Sequence, residues 1–273
     1  MKKKMLLVLG GLFVVLGMGA QEDKSVLEVH YKLRYHRDVG DTTYREDEFV
    51  LSQGERLSKF ESLRTLRNRE VFDSLVRAGA TNAEIVDAHN TGRIPRSGSE
   101  SVVMKNWPKE GQLVYINKVL MDTYGCEEPI PDFGWQLLEG DTVVAGYTCQ
   151  QAQAVWHGRI WLVWYALDLP YDNGPWKLGG LPGLILAARD AAGDYLYTAY
   201  EILKGSGHVI QYKQKYERTT QKKYQELALK MAQDPTAMLR QRYGNAVKIV
   251  SVKSDGTKQE GWVGHTPMFM ELF

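Results

Sequence analysis

The chain has 273 residues, of which 44% are hydrophobic and 25% are charged, and this is the composition of an ordinary globular protein. Its 34 basic residues nearly balance its 33 acidic residues, so it lacks the basic footprint of a nucleic-acid-binding protein. Beyond the first 20 residues no run reaches the roughly 18 apolar residues of a membrane-spanning helix, and we expect no transmembrane segment in the mature chain.

The first 20 residues, MKKKMLLVLGGLFVVLGMGA, combine three lysines, a short apolar run and small residues at Gly19 and Ala20. This order predicts a secretory signal peptide that is removed after Ala20. No cysteine lies near that point, so we do not expect a lipoprotein. The sequence therefore predicts a soluble protein exported to the periplasm or the outer cell envelope. Residues 21–273 contain no linker rich in proline or serine, and we expect them to form a single domain.

Strict alternation of apolar and polar residues over 26–36 predicts a half-buried strand. Strand-type residues on both sides of Gln53-Gly54 predict a hairpin. The apolar period then changes to three and four, which predicts a helix from Leu63 to Ala78. Thr81 and Glu84 have the spacing of a capping box and predict a second short helix that runs toward His89.

The central and C-terminal parts predict more strands and two more helices. Short turns through residues 102–167 favour antiparallel neighbours. The run from Ile160 to Leu167 is apolar on both faces, which predicts a central strand covered on both sides. Residues 194–203 predict a strand with 208–216 as its polar-edged partner. Helical spacing predicts a helix over 219–233, and Asp234-Pro235 has the order that begins another.

These elements predict a mainly β fold, α+β by strict count. We expect a curved antiparallel meander sheet with a few short helices packed on one face.

The chain has two cysteines, Cys126 and Cys149. In an oxidising compartment an even number of thiols favours pairing, so we predict a disulfide between them. The alternative is that both are small buried apolar residues. The absence of a C-x-x-C spacing disfavours a zinc or redox site.

The stretch GPWKLGGLPGLILAARD, residues 174–190, places four glycines and two prolines before an apolar segment. Pro182 followed by Gly183 is the residue order of a type II turn, with Gly183 at positive φ. Gly179 and Gly180 lack side chains, which would allow another part of the chain to approach closely.

The same stretch carries a family resemblance. Its hexapeptide Gly180-Leu181-Pro182-Gly183-Leu184-Ile185 is the signature of the GLPGLI family, a group of exported proteins found mainly in Bacteroidetes. The likeness extends to GYTCQQA at 146–152, to the block from 158 to 186 that includes Gly174-Pro175, and to TPMFMEL near the C-terminus. The resemblance implies export, but it implies no activity, because no biochemical role is assigned to the family.

No motif in the sequence indicates catalysis. G-x-S-x-G, H-E-x-x-H and a Walker loop are all absent. We interpret His157 as a solvated turn residue rather than a general base, and Asp168 and Asp172 as turn-capping residues rather than an acid-base pair or a cation site. We therefore predict no catalytic residue, no metal site and no cofactor.

Aromatic residues are the least ordinary feature of the chain. Trp161, Tyr165 and Trp176 suit a β-rich core, but a partly covered sheet face would make them the lining of a concave site. The sequence thus favours an exported binding or accessory protein whose partner is an apolar small molecule, a peptide or an envelope protein. The alternative is a periplasmic hydrolase whose site is assembled from scattered residues.

Overall fold

A computed structural model describes residues 23–205, 207–244, 250–252, 258–260 and 264–272. The predicted signal peptide, residues 1–20, lies outside this part of the chain. The described strands are β1 Leu27–Tyr35, β2 Arg45–Gln53, β3 Ser58–Ser62, β4 Val102–Lys105, β5 Gln112–Val119, β6 Asp122–Pro129, β7 Gln136–Val144, β8 Tyr147–Trp156, β9 Arg159–Ala166, β10 Leu184–Asp190, β11 Tyr195–Lys204, β12 Glu217–Thr219, β13 Val250–Val252 and β14 Lys258–Glu260. The described helices are α1 Leu63–Arg77, α2 Asn82–Asn90, α3 Gln221–Gln233 and α4 Pro235–Tyr243.

Within the described residues, twelve strands form one sheet in the order β12-β6-β5-β4-β3-β2-β1-β11-β10-β9-β8-β7. Every pairing in it is antiparallel except that of β12 with β6, which is parallel. Strands β13 and β14 form a separate two-stranded sheet. The prediction of a mainly β protein with a curved, mostly antiparallel sheet and a few short helices is confirmed.

Alternation along the strands produces the core. In β1 the residues Leu27, Val29, Tyr31 and Leu33 are all buried, and they join the large apolar cluster on one face of the sheet. We call this face the core face. The cluster also takes side chains from β2, β3, β4, β8, β9, β10 and β11, so one continuous apolar surface spans most of the sheet.

The capping residues place the helices where the sequence predicts them. Thr81 and Glu84 form a complete capping box at the start of α2. Asp234 caps α4 through the backbone N–H of Ala237, and Pro235 occupies the first turn. No helix in the described part of the chain combines the length and apolar character needed to cross a membrane.

The pairing of β11 with residues 208–216 is a wrong prediction. Strand β11 pairs instead with β10 on one side and with β1 on the other, from Leu27 opposite Lys204 to Tyr35 opposite Tyr195. Residues 208–216 cross the opposite face of the sheet, where Ile210 packs on the apolar side chains of β4 and β5. Strand β1 is far away in sequence but offers a full apolar stripe, and the polar 208–216 segment does not.

Strand β9 is covered less than its sequence predicts. Trp161, Val163 and Tyr165 are buried on the core face, as the period requires. On the other face Ile160 is 48% exposed, and Leu162 and Trp164 are only partly buried. This face is incompletely covered because β9 is the third strand from the end of the sheet and does not lie at its centre.

The predicted disulfide between Cys126 and Cys149 is also wrong, since both cysteines are free and buried. Cys126 lies on β6 and Cys149 on β8, and eight strands of the sheet order separate them. A disulfide needs the two Cα atoms within about 7 Å. Burial raises the pKa of the Cys126 thiol to about 12 and also raises that of Cys149, so each behaves as a small apolar residue.

The glycine-rich stretch forms the end of the connection between β9 and β10, but its glycines have other roles than predicted. Gly180 takes the positive φ, at 85°, whereas Gly183 does not. Gly183 instead faces the backbone of Ala166, at the point where Leu184 pairs with that residue at the start of β10. Gly174 is required by a similar close approach, because an added Cβ would lie 2.7 Å from the Cβ of Ile185.

The remaining signature residues anchor this loop. Leu181, Leu184 and Ile185 are buried in the core cluster. A turn at Pro175 is closed by the Leu178 N–H, which donates to the Pro175 carbonyl at 3.1 Å. Residues 180–185 therefore have a structural role, because they allow the chain to pack closely against the end of β9.

We expect Gly183→Val to destabilise the protein by about 1–3 kcal/mol, because the new side chain must displace the Ala166 backbone. Chemical denaturation of the mature protein measures the change. Gly179→Ala is the control, since its Cβ would meet two side-chain ends that can move, Asp172 Oδ1 at 3.2 Å and Lys105 Nζ at 3.3 Å, and the Asp172 backbone oxygen only at an ordinary contact distance of 3.5 Å. Equal stability of the two variants would contradict the proposed role of Gly183.

Candidate functional site

A cavity of about 380 Å³ lies between the core face of the sheet, helix α3 and the C-terminal segment 264–272. We call this segment the strap. The wall is mainly apolar and aromatic, and its apolar and aromatic residues are Leu33, Tyr35, Phe49, Phe60, Val103, Tyr115, Trp176, Tyr195, Tyr197, Tyr224, Ala228, Met231, Ala232, Pro267, Met268, Phe269 and Met270.

Strand alternation explains how the sheet supplies its part of this wall. Phe49, Phe60 and Tyr197 come from three different strands and point to the same face. The rings of Phe49 and Phe60 stack with centroids 4.8 Å apart, and Tyr197 meets both edge-on. The sheet side of the cavity is therefore a rigid aromatic floor.

Backbone hydrogen bonds fix the strap over this floor. The Met268 N–H donates to the Arg37 carbonyl at 2.8 Å, and the Leu272 N–H donates to the His157 carbonyl at 2.9 Å. The Tyr195 hydroxyl donates to the Met268 carbonyl at 2.9 Å. These bonds tie the strap to the end of β1, to the β8–β9 turn and to β11.

Arg159, the first residue of β9, holds the middle of the strap. Its Nε and Nη2 donate to the Phe269 carbonyl at 3.0 and 2.7 Å. Its Nη1 lies 2.5 Å from Asp190 and 2.8 Å from Asp194. Burial alone would raise the pKa of Asp194, but hydrogen bonds from Arg159 and His36 outweigh it and lower that pKa. The guanidinium is thus fully engaged and nearly inaccessible to water.

Lys177 holds the end of the strap. Its Nζ donates to Glu271 Oε1 at 2.5 Å, and Glu128 Oε1 also lies 2.5 Å away. The lysine is completely buried, with the rings of Tyr115, Trp176 and Trp156 at 5.4, 5.5 and 5.7 Å from Nζ. Burial raises the pKa of Glu271, although the Lys177 charge partly opposes this.

The aromatic residues singled out from the sequence do not all reach the cavity. Trp176 lies on its wall, held by a backbone φ of 54° in the turn after Pro175. Trp161 and Tyr165 are buried in the core cluster and are not part of the wall. The Tyr165 hydroxyl donates a hydrogen bond to Gln150. The Trp161 ring centroid lies 5.6 Å from that of Trp176, so Trp161 packs behind this residue of the cavity wall.

Sequence reasoning missed Arg159, Lys177 and Glu271. Arg159 and Lys177 lie within the quoted block from 158 to 186, and Glu271 lies within TPMFMEL, so these GLPGLI-like segments contained the signal.

Lys105, at the end of β4, is another residue that the sequence analysis did not identify. It supports the β9–β10 loop and is not part of the cavity wall. Its Nζ donates to Asn173 Oδ1 at 2.7 Å and to the Leu178 carbonyl at 2.6 Å. Burial lowers its pKa to about 7.

His157, Asp168 and Asp172, the titratable residues considered from the sequence, are likewise absent from the cavity wall. In the described part of the chain, no group of three or more His, Cys, Asp or Glu side chains is arranged to hold a metal ion.

No family model and no curated protein matches this chain. Two solved structures of PNGF-II, in different crystal forms, are similar to it at 12% and 11% sequence identity, each with a TM-score of 0.49. The matches cover 84% and 85% of this chain and 35% of the PNGF-II chain in both cases. The chain thus spans about a third of the length of these structures. A likeness this distant carries no argument about function.

We expect Arg159→Met to destabilise the protein by about 3–5 kcal/mol, because it leaves Asp190 buried without its cation and frees the strap. Chemical denaturation gives the loss, and limited proteolysis should show earlier cleavage near the C-terminus. Arg34→Met is the matched control, since the Arg34 pair with Glu46 is exposed and 3.7 Å long, and such pairs contribute at most about 1 kcal/mol. Similar losses in both variants would contradict the role given to Arg159.

Proposed function

We propose that this chain is an exported, non-enzymatic binding or accessory protein of the periplasm or outer envelope, which holds an apolar ligand or an apolar partner segment beneath the strap. The observation that supports this most is the aromatic-walled cavity of about 380 Å³. Small-molecule pockets are typically about 300–1,000 Å³ and mainly apolar. The N-terminal sequence and the resemblance to GLPGLI proteins support the compartment.

The charged groups of the cavity wall are already engaged, which favours an apolar occupant, while Gln221 Oε1 on the same wall is buried and makes no hydrogen bond to a described residue. Arg37 is neutralised by Asp38, with Nε and Nη2 at 2.7 and 2.6 Å from Oδ2. Asp47 accepts hydrogen bonds from the backbone N–H groups of Glu48 and Ser99. A charged ligand would have to displace these partners, whereas an apolar one would not.

The flexible side of the cavity suits an occupant of variable shape. Met231 on α3 and Met268 and Met270 on the strap face the rigid rings of the sheet. Methionine side chains adapt to irregular apolar surfaces and make favourable contacts with aromatic rings. Acyl chains and apolar peptide side chains are the occupants that fit this wall best.

A periplasmic hydrolase is the second candidate, and one observation favours it. His265 Nδ1 lies 2.5 Å from Asp38 Oδ1, and His265 shares the cavity wall with Ser99 and Ser101. Against catalysis, the hydroxyls of Ser99 and Ser101 bond to each other at 2.7 Å, and Ser99 Oγ also accepts from the Ser101 N–H. This arrangement favours a structural role for both serines.

Tryptophan fluorescence titrated with fatty acids and with apolar peptides tests the proposal, because Trp176 lies on the cavity wall. We expect saturable binding that Ala228→Phe weakens about tenfold or more, a change of ~1.4 kcal/mol, since the added ring fills the cavity. Glu226→Phe is the control, because Glu226 is exposed on the same helix and is not part of the wall.

Binding that is equal in Ala228→Phe and wild type would overturn the proposed site. Turnover of a chromogenic ester that is lost in Ser101→Ala would favour the hydrolase instead.

A further inference from the structure

Three charged side chains meet at one buried point between the β9–β10 loop and the strap. Lys177 Nζ lies 2.5 Å from both Glu271 Oε1 and Glu128 Oε1. The contact with Glu271 has hydrogen-bond geometry, whereas Glu128 Oε1 makes only a charge contact. The side chains of Lys177 and Glu271 are completely buried, and that of Glu128 is 25% exposed.

The surroundings make a fully ionised cluster costly. Three aromatic rings surround the Lys177 amine and favour a positive charge there. Two carboxylates around the one ammonium nevertheless leave a net negative charge in an apolar place. Glu271 Oε2 is buried and makes no hydrogen bond to any described residue, and an unpaired charged oxygen in such a place is strongly disfavoured. Burial also raises the pKa of Glu271 and so favours its neutral acid form.

A neutral amine in contact with a neutral carboxylic acid is the reactant pair of amide formation. We propose that Lys177 and Glu271 become joined by an intramolecular isopeptide bond, with Glu128 as the proton carrier. The bond would connect the β9–β10 loop to the strap, 94 positions further along the chain.

The reaction needs no other reactant. Glu128 accepts a proton from the Lys177 ammonium, and the free Nζ attacks Cδ of the protonated Glu271 acid, forming the C–N bond. Glu128 then returns its proton to the departing hydroxyl, the C–O bond breaks, and one water molecule leaves. The excess proton on Nζ passes to Glu128 and from there to solvent. No electrons are exchanged with any other group, and the product is a neutral amide.

The different exposures of the two glutamates assign their roles. Glu271 is sealed from solvent and hydrogen-bonded to the amine, which holds its Cδ next to Nζ. Glu128 is partly exposed, so it exchanges protons with solvent and marks the path by which water leaves. Relative to the fully ionised cluster, condensation removes one buried positive charge, one buried negative charge and one carboxylate oxygen of Glu271.

Intact mass spectrometry of the folded, purified mature protein, measured under denaturing conditions, tests the proposal. We expect a mass lower than the sequence mass by one water molecule, and a branched proteolytic peptide that joins Lys177 to Glu271. Lys177→Arg should show the full sequence mass, because its guanidinium does not condense. Glu128→Gln should show the full mass in most molecules, because the proton carrier is lost.

Lys59→Arg is the matched control. Lys59 lies 2.6 Å from Glu61, but it has neither a second carboxylate at this distance nor a cage of three rings, so the mass loss should persist in the variant. The wild-type measurement does not depend on whether any variant folds. A full sequence mass for folded wild-type protein would overturn the proposal and leave the three side chains as a buried ion cluster.

Discussion

Two hydrogen bonds from Arg159 to the Phe269 carbonyl fix the strap over the core face of the sheet, and this constraint shapes the cavity beneath it. The core face of the sheet carries more aromatic surface than α3 alone covers, and the strap supplies the remaining cover. The nine residues of the strap belong to no helix or strand, so no regular backbone ladder holds them, although Met268 and Met270 pack against the core. The strap is therefore fixed by polar contacts, and those contacts are strong because they are buried.

The same constraint explains why the cavity exists. Arg159 fixes the middle of the strap, and Lys177 and Glu271 fix its end, so the strap cannot settle further into the aromatic floor. Space remains between Phe49 and Phe60 below and the strap methionines above. The glycine-rich stretch contributes indirectly. Its tight passage beside Ala166 sets the position of Trp176 and Lys177.

Local patterns predicted the local structure well. Alternation placed β1, and the capping residues Thr81 and Asp234 placed the starts of α2 and α4. These features depend on neighbours within a few positions, where one sequence carries enough information. The glycine-rich stretch was recognised as a tight turn, but which glycine needs positive φ depends on the approach of Ala166, which is distant in sequence.

Contacts between distant segments were not predictable in the same way. The even cysteine count says nothing about distance, and the eight strands between Cys126 and Cys149 became visible only with the sheet order. The pairing of β1 with β11 likewise joins two segments that are far apart in the sequence. At the candidate site, the residue type of Trp176 was enough to predict its place in the cavity wall. Arg159, Lys177 and Glu271 were not predicted, because a charged residue is expected to be buried only when its ion-pair partner is known.

Hydrogen–deuterium exchange of the strap amides measures whether the strap is fixed over the sheet. The N–H groups of Met268 and Leu272 donate to the carbonyls of Arg37 and His157, and a pinned strap must protect both. We expect both amides to exchange slowly, with protection similar to that of β1. Exchange as fast as in an unstructured peptide would show that the strap does not cover the sheet, and it would contradict the account of the cavity.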